Sequence, residues 1–179
     1  MKSLFLTLLL SSLALTAVAN EGDLRTIPAL DVPRYMGTWY EIAKYPNRFQ
    51  KKCVKDTRAV YELLANGTVK VTNRCTTESG EVDVALGSAR QVGEARSPKL
   101  EVRFAPEWLS FIPWVWGNYW VIDLDPEYQL VAVSEPKLEY LWVLARTPTV
   151  NPRAYEELVA RLVKKGFDSR KIVLSPQQN

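Results

Sequence analysis

TRAVYELLANGTVKVT, residues 57–72, holds two apolar-rich runs joined by a turn signal. Residues 68–72 alternate Thr-Val-Lys-Val-Thr, the period-2 pattern of a half-buried strand. Residues 57–64 form the preceding strand, and Asn66-Gly67 between them is a strong hairpin signal, because both residues tolerate the positive φ that such turns require. The same grammar repeats on either side. Upstream, residues 38–45 are rich in aromatic and apolar side chains and stop at Pro46-Asn47. Downstream, Ser79-Gly80 turns the chain into residues 82–92, where Gly87 suggests a bulge or sharp bend. Ser97-Pro98 leads to residues 99–104, in which Leu100, Val102 and Phe104 alternate with Glu101 and Arg103. Three further strands, 119–124, 129–133 and 140–145, end at Asp125-Pro126, Glu135-Pro136 and Thr147-Pro148. Eight antiparallel strands in succession predict an all-β chain, either an up-and-down barrel or a sandwich.

A helix comes only afterwards. Asn151 is a good N-cap and Pro152 suits the first helical position. Tyr155, Leu158, Val159, Leu162 and Val163 make one apolar stripe, and Gly166 ends the helix. This predicts one C-terminal α-helix laid against the outside of the sheet, with residues 172–174 as a last strand beside it.

Composition narrows the function. Met1-Lys2, the apolar run 4–15 and Ala17-Val18-Ala19 read as a signal peptide over 1–19, removed to leave a single domain, 20–179. A membrane anchor is the competing reading, for which the apolar run is short. Loss of Lys2 lowers the formal charge from +3 to +2, with no basic cluster suited to nucleic acid. Cys53 and Cys75, the two cysteines of an exported chain, read as one disulfide, the alternative being a reactive thiol. There is no histidine, which removes Ser-His-Asp and Cys-His nucleophiles, histidine zinc sites and an axial haem histidine. The expectation is a non-enzyme with no metal and no cofactor.

Strand parity places Tyr140, Trp142, Leu144 and Arg146 on one face of the eighth strand, and Tyr119, Val121 and Asp123 on one face of the sixth. Apolar residues line cores and pockets alike, so parity leaves a filled interior and a ligand pocket equally open. Residues 104–120, FAPEWLSFIPWVWGNYW, hold four of the six tryptophans in a segment broken by Pro106 and Pro113.

Gly37-Thr38-Trp39-Tyr40-Glu41 resembles the Gly-x-Trp motif that opens the first strand of lipocalins. The stretch GTWYEIAKYPNRFQ is similar to bacterial lipocalins and to apolipoprotein D. Asp125-Pro126-Glu127-Tyr128 sits where the family has its second motif, and residues 141–148, with Arg146, resemble the third. The resemblance spans residues 32–173. It implies an eight-stranded antiparallel up-and-down β-barrel, a calyx closed at one end and open at the other, with a small hydrophobic ligand in its lumen. It implies a structural role for Gly37, Trp39 and Arg146, the indole and guanidinium meeting at the closed end, and pocket-lining positions for Tyr61, Phe104, Tyr119 and Trp142.

In such a barrel, residues 108–116 fall at the open mouth. Trp108, Phe111, Trp114 and Trp116 are expected to form an apolar lip that admits a lipid or touches a membrane surface. Self-burial of the loop and a dimer contact are the alternatives. Cys53 and Cys75 also reach the open end. Strict pairing about Asn66-Gly67 places Cys53 a few residues beyond Cys75, so a bulge or flexible linker must close the gap. The expected function is carriage or storage of a fatty acid or (lyso)phospholipid by a periplasmic or secreted protein, not lipid-anchored, monomeric or weakly homodimeric. The alternatives are an enzyme on the same scaffold using a free cysteine, and a filled-barrel interaction module.

Overall fold

The structure, a computed structural model, describes residues 24–178; the leader reading over 1–19 lies outside the described residues. Its strands are β1 (Gly37–Lys44), β2 (Cys53–Leu63), β3 (Val69–Thr77), β4 (Val82–Gln91), β5 (Lys99–Arg103), β6 (Gly117–Leu124), β7 (Leu130–Ser134), β8 (Leu141–Ala145) and β9 (Val173–Leu174). Each of the first eight pairs antiparallel with its chain neighbour, and β8 returns to β1, so an eight-stranded barrel closes with β9 as an extra strand on β1. Closure leaves these strands no free sheet edge over most of their length. A short helix, α1 (Val32–Tyr35), follows Asp31, whose carboxylate accepts from the Arg34 N–H. It stands where the sequence reads only as irregular.

The β2–β3 hairpin is looser in its turn and longer in its strands than the pattern suggests. The Leu64 N–H donates to Thr68 O and the Gly67 N–H to Leu64 O, with Gly67 at φ 81°. This is a three-residue loop, a type I turn followed by a left-handed residue. Gly87 is no bulge. It pairs regularly with Val71, and its missing side chain makes room for Phe104, whose ring would lie 2.8 Å from an added Cβ.

Two layers of core result from strand alternation. Inside the barrel lie Trp39, Tyr61, Val71, Leu100, Val121, Val133 and Leu144. Outside, α2 (Pro152–Lys164) buries Leu158 and Leu162 against Ile42, Ile122, Leu141 and Val143. Each such leucine contributes about 2 kcal/mol by area. The buried face of α2 is narrower than the sequence stripe, since Val163 is exposed. Asn151 caps the helix, accepting from the Arg153 and Ala154 N–H groups.

One parity expectation is overturned. A register shift between Val121 and Asp123 turns Asp123 away from the lumen. Its carboxylate instead accepts two hydrogen bonds, 2.8 and 2.9 Å, from Arg161 of α2. A bulge reverses the inside-outside alternation of everything beyond it, and nothing in the local sequence marks this one.

The barrel closes unevenly. β1 pairs with β2 only from Gly37 to Tyr40 and then splays away. The C-terminal segment fills the wedge. The Ser175 N–H donates to Ile42 O, the Asp56 N–H donates to Pro176 O, and Gln177 Nε2 donates to both Glu41 O and Thr57 O. These bonds satisfy backbone groups that would otherwise be buried unpaired.

Candidate functional site

The closed end is built from three separate segments. The Arg146 guanidinium lies 3.9 Å from the Trp39 ring centroid. It also donates to Thr38 O (3.1 Å), Arg34 O (2.9 Å) and Tyr128 O (3.2 Å). A planar cation suits both tasks, stacking on an indole while its edge serves carbonyls. Gly37 allows this approach: it has φ 98°, and an added Cβ would meet Arg146 Nη1 at 3.2 Å. The Asp125–Tyr128 turn is held by the Asp125 carboxylate, which accepts from the Glu127, Gln129 and Leu130 N–H groups.

Above this floor the lumen is filled. The Tyr119 hydroxyl shares hydrogen bonds with those of Tyr35 (2.8 Å) and Tyr61 (3.1 Å). Tyr35 and Tyr61 stack at 5.9 Å, and Tyr61 meets Tyr119 edge-on at 6.2 Å. Burial pushes all three phenols up, that of Tyr61 to about 12. Tyr61 and Tyr119 thus come together in the lumen, but their hydroxyls satisfy each other. Tyr35 completes the set and was not legible by strand parity, because it lies on α1.

The upper lumen is different. β4 presents Ala85, Gly87 and Ala89 inward, one nearly bare strip, and Ala59 of β2 adds another small position. Ala85 is exposed although it faces the lumen, and Phe104, lying over Gly87, is 46% exposed. In strand order β8 stands diametrically opposite β4. There Trp142 stacks with Tyr140 at 5.8 Å, and Tyr140 touches Phe49 of the first mouth loop. Trp142 Nε1 donates to Gln50 Oε1, and Gln50 Nε2 donates to Glu41. Glu41 is 2% exposed and also accepts from Ser175 and pairs with Lys44 at 2.8 Å. This network ties the first mouth loop and the C-terminal segment to the lumen wall. Asn73, between Ala59 and Ala85, carries a buried Oδ1 without a donor among the described residues. A single amide in an alternating strand gives no sign of this in sequence.

The aromatic mouth loop divides. Trp108, Phe111 and Trp114 are 72%, 77% and 84% exposed. Trp116 is not part of that surface. Its Nε1 donates to Ser110 O, and the Arg90 and Arg103 guanidiniums lie 4.1 and 5.2 Å from its ring. The cations and the carbonyl draw the last ring down onto the outer wall. The loop leaves the barrel beside a gap, since β4 from Val82 to Gly87 pairs with β3 alone and β5 ends at Arg103 opposite Ser88.

Cys53 and Cys75 are joined, with Cα atoms 5.5 Å apart. Two register shifts in β2, between Cys53 and Lys55 and between Lys55 and Arg58, bring Cys53 back toward Cys75. No free thiol remains, so the free-cysteine enzyme alternative is withdrawn. Two cavities lie on the outer wall: one of about 720 Å³ between α2, Ile27 and β6, and one of about 440 Å³ beside the disulfide.

The family described as Lipocalin-like domain matches residues 30–177. Temperature-induced lipocalin-1 of Arabidopsis thaliana is 40% identical over 164 residues, covering 90% of this chain and 87% of its own. Outer membrane lipoprotein Blc of Escherichia coli K12 is 37% identical over 144 residues, covering 80% and 77%. Insecticyanin from the tobacco hornworm Manduca sexta shares the fold with a TM-score of 0.68 at 17% identity, covering 88% of this chain and 86% of that one. Barrel, motif geometry and sequence agree: the chain belongs to the lipocalin-like family.

Proposed function

We propose that this chain takes up one fatty acid or lysophospholipid in the upper half of its lumen and carries or stores it. The observation that carries this reading is the bare inward strip Ala85, Gly87 and Ala89, open to solvent at Ala85 and faced across the barrel by Trp142. An acyl chain laid along the strip gains about 0.8 kcal/mol for each buried CH₂. Phe104 and Trp142 line its path, while Tyr61 and Tyr119 form the bottom that limits its depth. Asn73 Oδ1 accepts a hydrogen bond from a ligand hydroxyl, which suits a lysophospholipid glycerol or a protonated acid. Lipocalins as a family bind small hydrophobic ligands, and the likeness to a protein named as an outer membrane lipoprotein supports an exported chain, periplasmic or secreted. Trp108, Phe111 and Trp114 serve as the lip, their rings suited to a water–lipid boundary.

Extraction of the purified protein into organic solvent, followed by mass spectrometry, is expected to return a stoichiometric lipid. Ala85→Trp is expected to keep the fold and to abolish uptake of a fluorescent fatty acid. An empty extract, with no probe bound by the native protein, would instead favour a filled barrel acting through its surface, a reading to which the packed lower lumen lends weight. For the lip, lipid vesicles should shift the tryptophan fluorescence, and Trp114→Ala should lose part of the shift; an unchanged spectrum removes the lip.

A further inference from the structure

We propose that the 440 Å³ cavity on the outer wall is a binding site for a phosphate-type oxyanion, gripped by Arg58 and Arg74. The two residues are direct cross-strand partners on β2 and β3. Both face outward, because their next partners are Tyr40, on the outer core, and the exposed Val84. Both line this cavity together with Tyr40, Asp56, Gln177 and Gln178. Among the described residues neither guanidinium has a carboxylate within salt-bridge distance. Arg90 and Arg161, on the same outer surface, pair with Glu101 and Asp123.

Like charges placed directly opposite on neighbouring strands repel. The one carboxylate in the cavity does not relieve this. Asp56 accepts from the Gln178 N–H at 2.6 Å and from the Thr76 hydroxyl at 3.3 Å, and ion-pairs with neither arginine. Two guanidiniums against one engaged carboxylate leave the cavity net positive. A tetrahedral oxyanion between them would replace repulsion with charge-assisted hydrogen bonds, and each planar fork can meet two of its oxygens. The cavity exceeds the size of a bare phosphate, and Val82 on its rim with Val84 beside it offers apolar contact. The ligand chemistry is therefore a phosphate, either free or as the headgroup of a lipid. The site is separate from the lumen and does not depend on what the lumen holds.

The test uses inorganic phosphate, titrated calorimetrically against the mature protein with chloride holding ionic strength constant. Saturable binding, weakened about tenfold or more in both Arg58→Gln and Arg74→Gln, supports a free oxyanion. In phosphate-free buffer Arg74→Gln should melt no lower than the native protein, since it relieves repulsion. If phosphate alone fails, the flotation that phosphatidylglycerol adds over vesicles of phosphatidylcholine alone, lost in both variants, supports a lipid headgroup, since contact through the aromatic lip would be common to both vesicles. Arg58→Lys and Arg74→Lys keep the charge and remove the fork, and both should weaken whichever binding is seen. Absence of both kinds of binding, or binding undiminished in the glutamine variants, overturns the proposal.

Discussion

Gly37 has φ 98°, and any side chain there would press on Arg146 at 3.2 Å. A left-handed backbone costs a substituted residue roughly 1–2 kcal/mol, and displacement of the guanidinium adds to that. Gly37→Ala should therefore lower stability by about 1–3 kcal/mol, read as an earlier urea midpoint with unchanged slope. A second test concerns the tyrosines. Tyr119→Phe removes the hydroxyl that serves both Tyr35 and Tyr61. Two buried phenols then lack a partner, at an expected cost of about 1–3 kcal/mol. The residues of the lumen and its floor differ in how readable they were. Gly37 was pointed to by its place in a motif that resembles the lipocalin Gly-x-Trp, although part of its demand comes from the distant Arg146. Asn73 and Tyr35 owe their roles to neighbours dozens of residues away, and their own surroundings in sequence are unremarkable.

Elements were read more reliably than their ends. All eight barrel strands and the late helix were visible as periodicity, yet β3 runs on to Thr77, five residues past the alternating pattern. Its outer half is paired with β4 and pinned by the Cys53–Cys75 bridge, so pairing rather than local pattern sustains it. The bridge spans a sequence separation of 22 residues, for which chain entropy gives about 3 kcal/mol. Reduction, or the paired Cys53→Ala and Cys75→Ala substitution, should lower the unfolding free energy by about that much. Hydrogen exchange should quicken first in residues 53–57 and 74–77. The bulges that make the bridge possible were called for by the spacing of Cys53 and Cys75 about Asn66-Gly67, whereas the one that turns Asp123 outward leaves no trace in the local sequence. They arise because a closed barrel must reconcile the register of all its strands at once.

At the level of the molecule, the buried tyrosine cluster is expected to set the alkaline limit. Folding raises these phenols above their unfolded value of about 10, that of Tyr61 to about 12. Between those values the unfolded chain has lost protons that the native state keeps. Stability is therefore fully present below pH ~10 and falls as pH rises toward the folded pKa. A series of denaturant melts should show a flat profile up to about pH 10 and a decline beyond it, with Tyr119→Phe declining less. A decline that begins well below this range would show that other groups govern it. Alternation and turn residues were enough to specify an antiparallel all-β chain, barrel or sandwich, with one helix outside, because each depends on side chains close together in the chain; closure was implied only by the resemblance of three motifs to the lipocalins. Whether that barrel has room inside could not be read there. Inward residues look the same in a core and in a pocket. Only the folded arrangement, with tyrosines meeting below, small residues aligned above, Trp116 drawn down and Arg58 set beside Arg74, divides filled space from open space, because volume belongs to pairs of strands and not to any one of them.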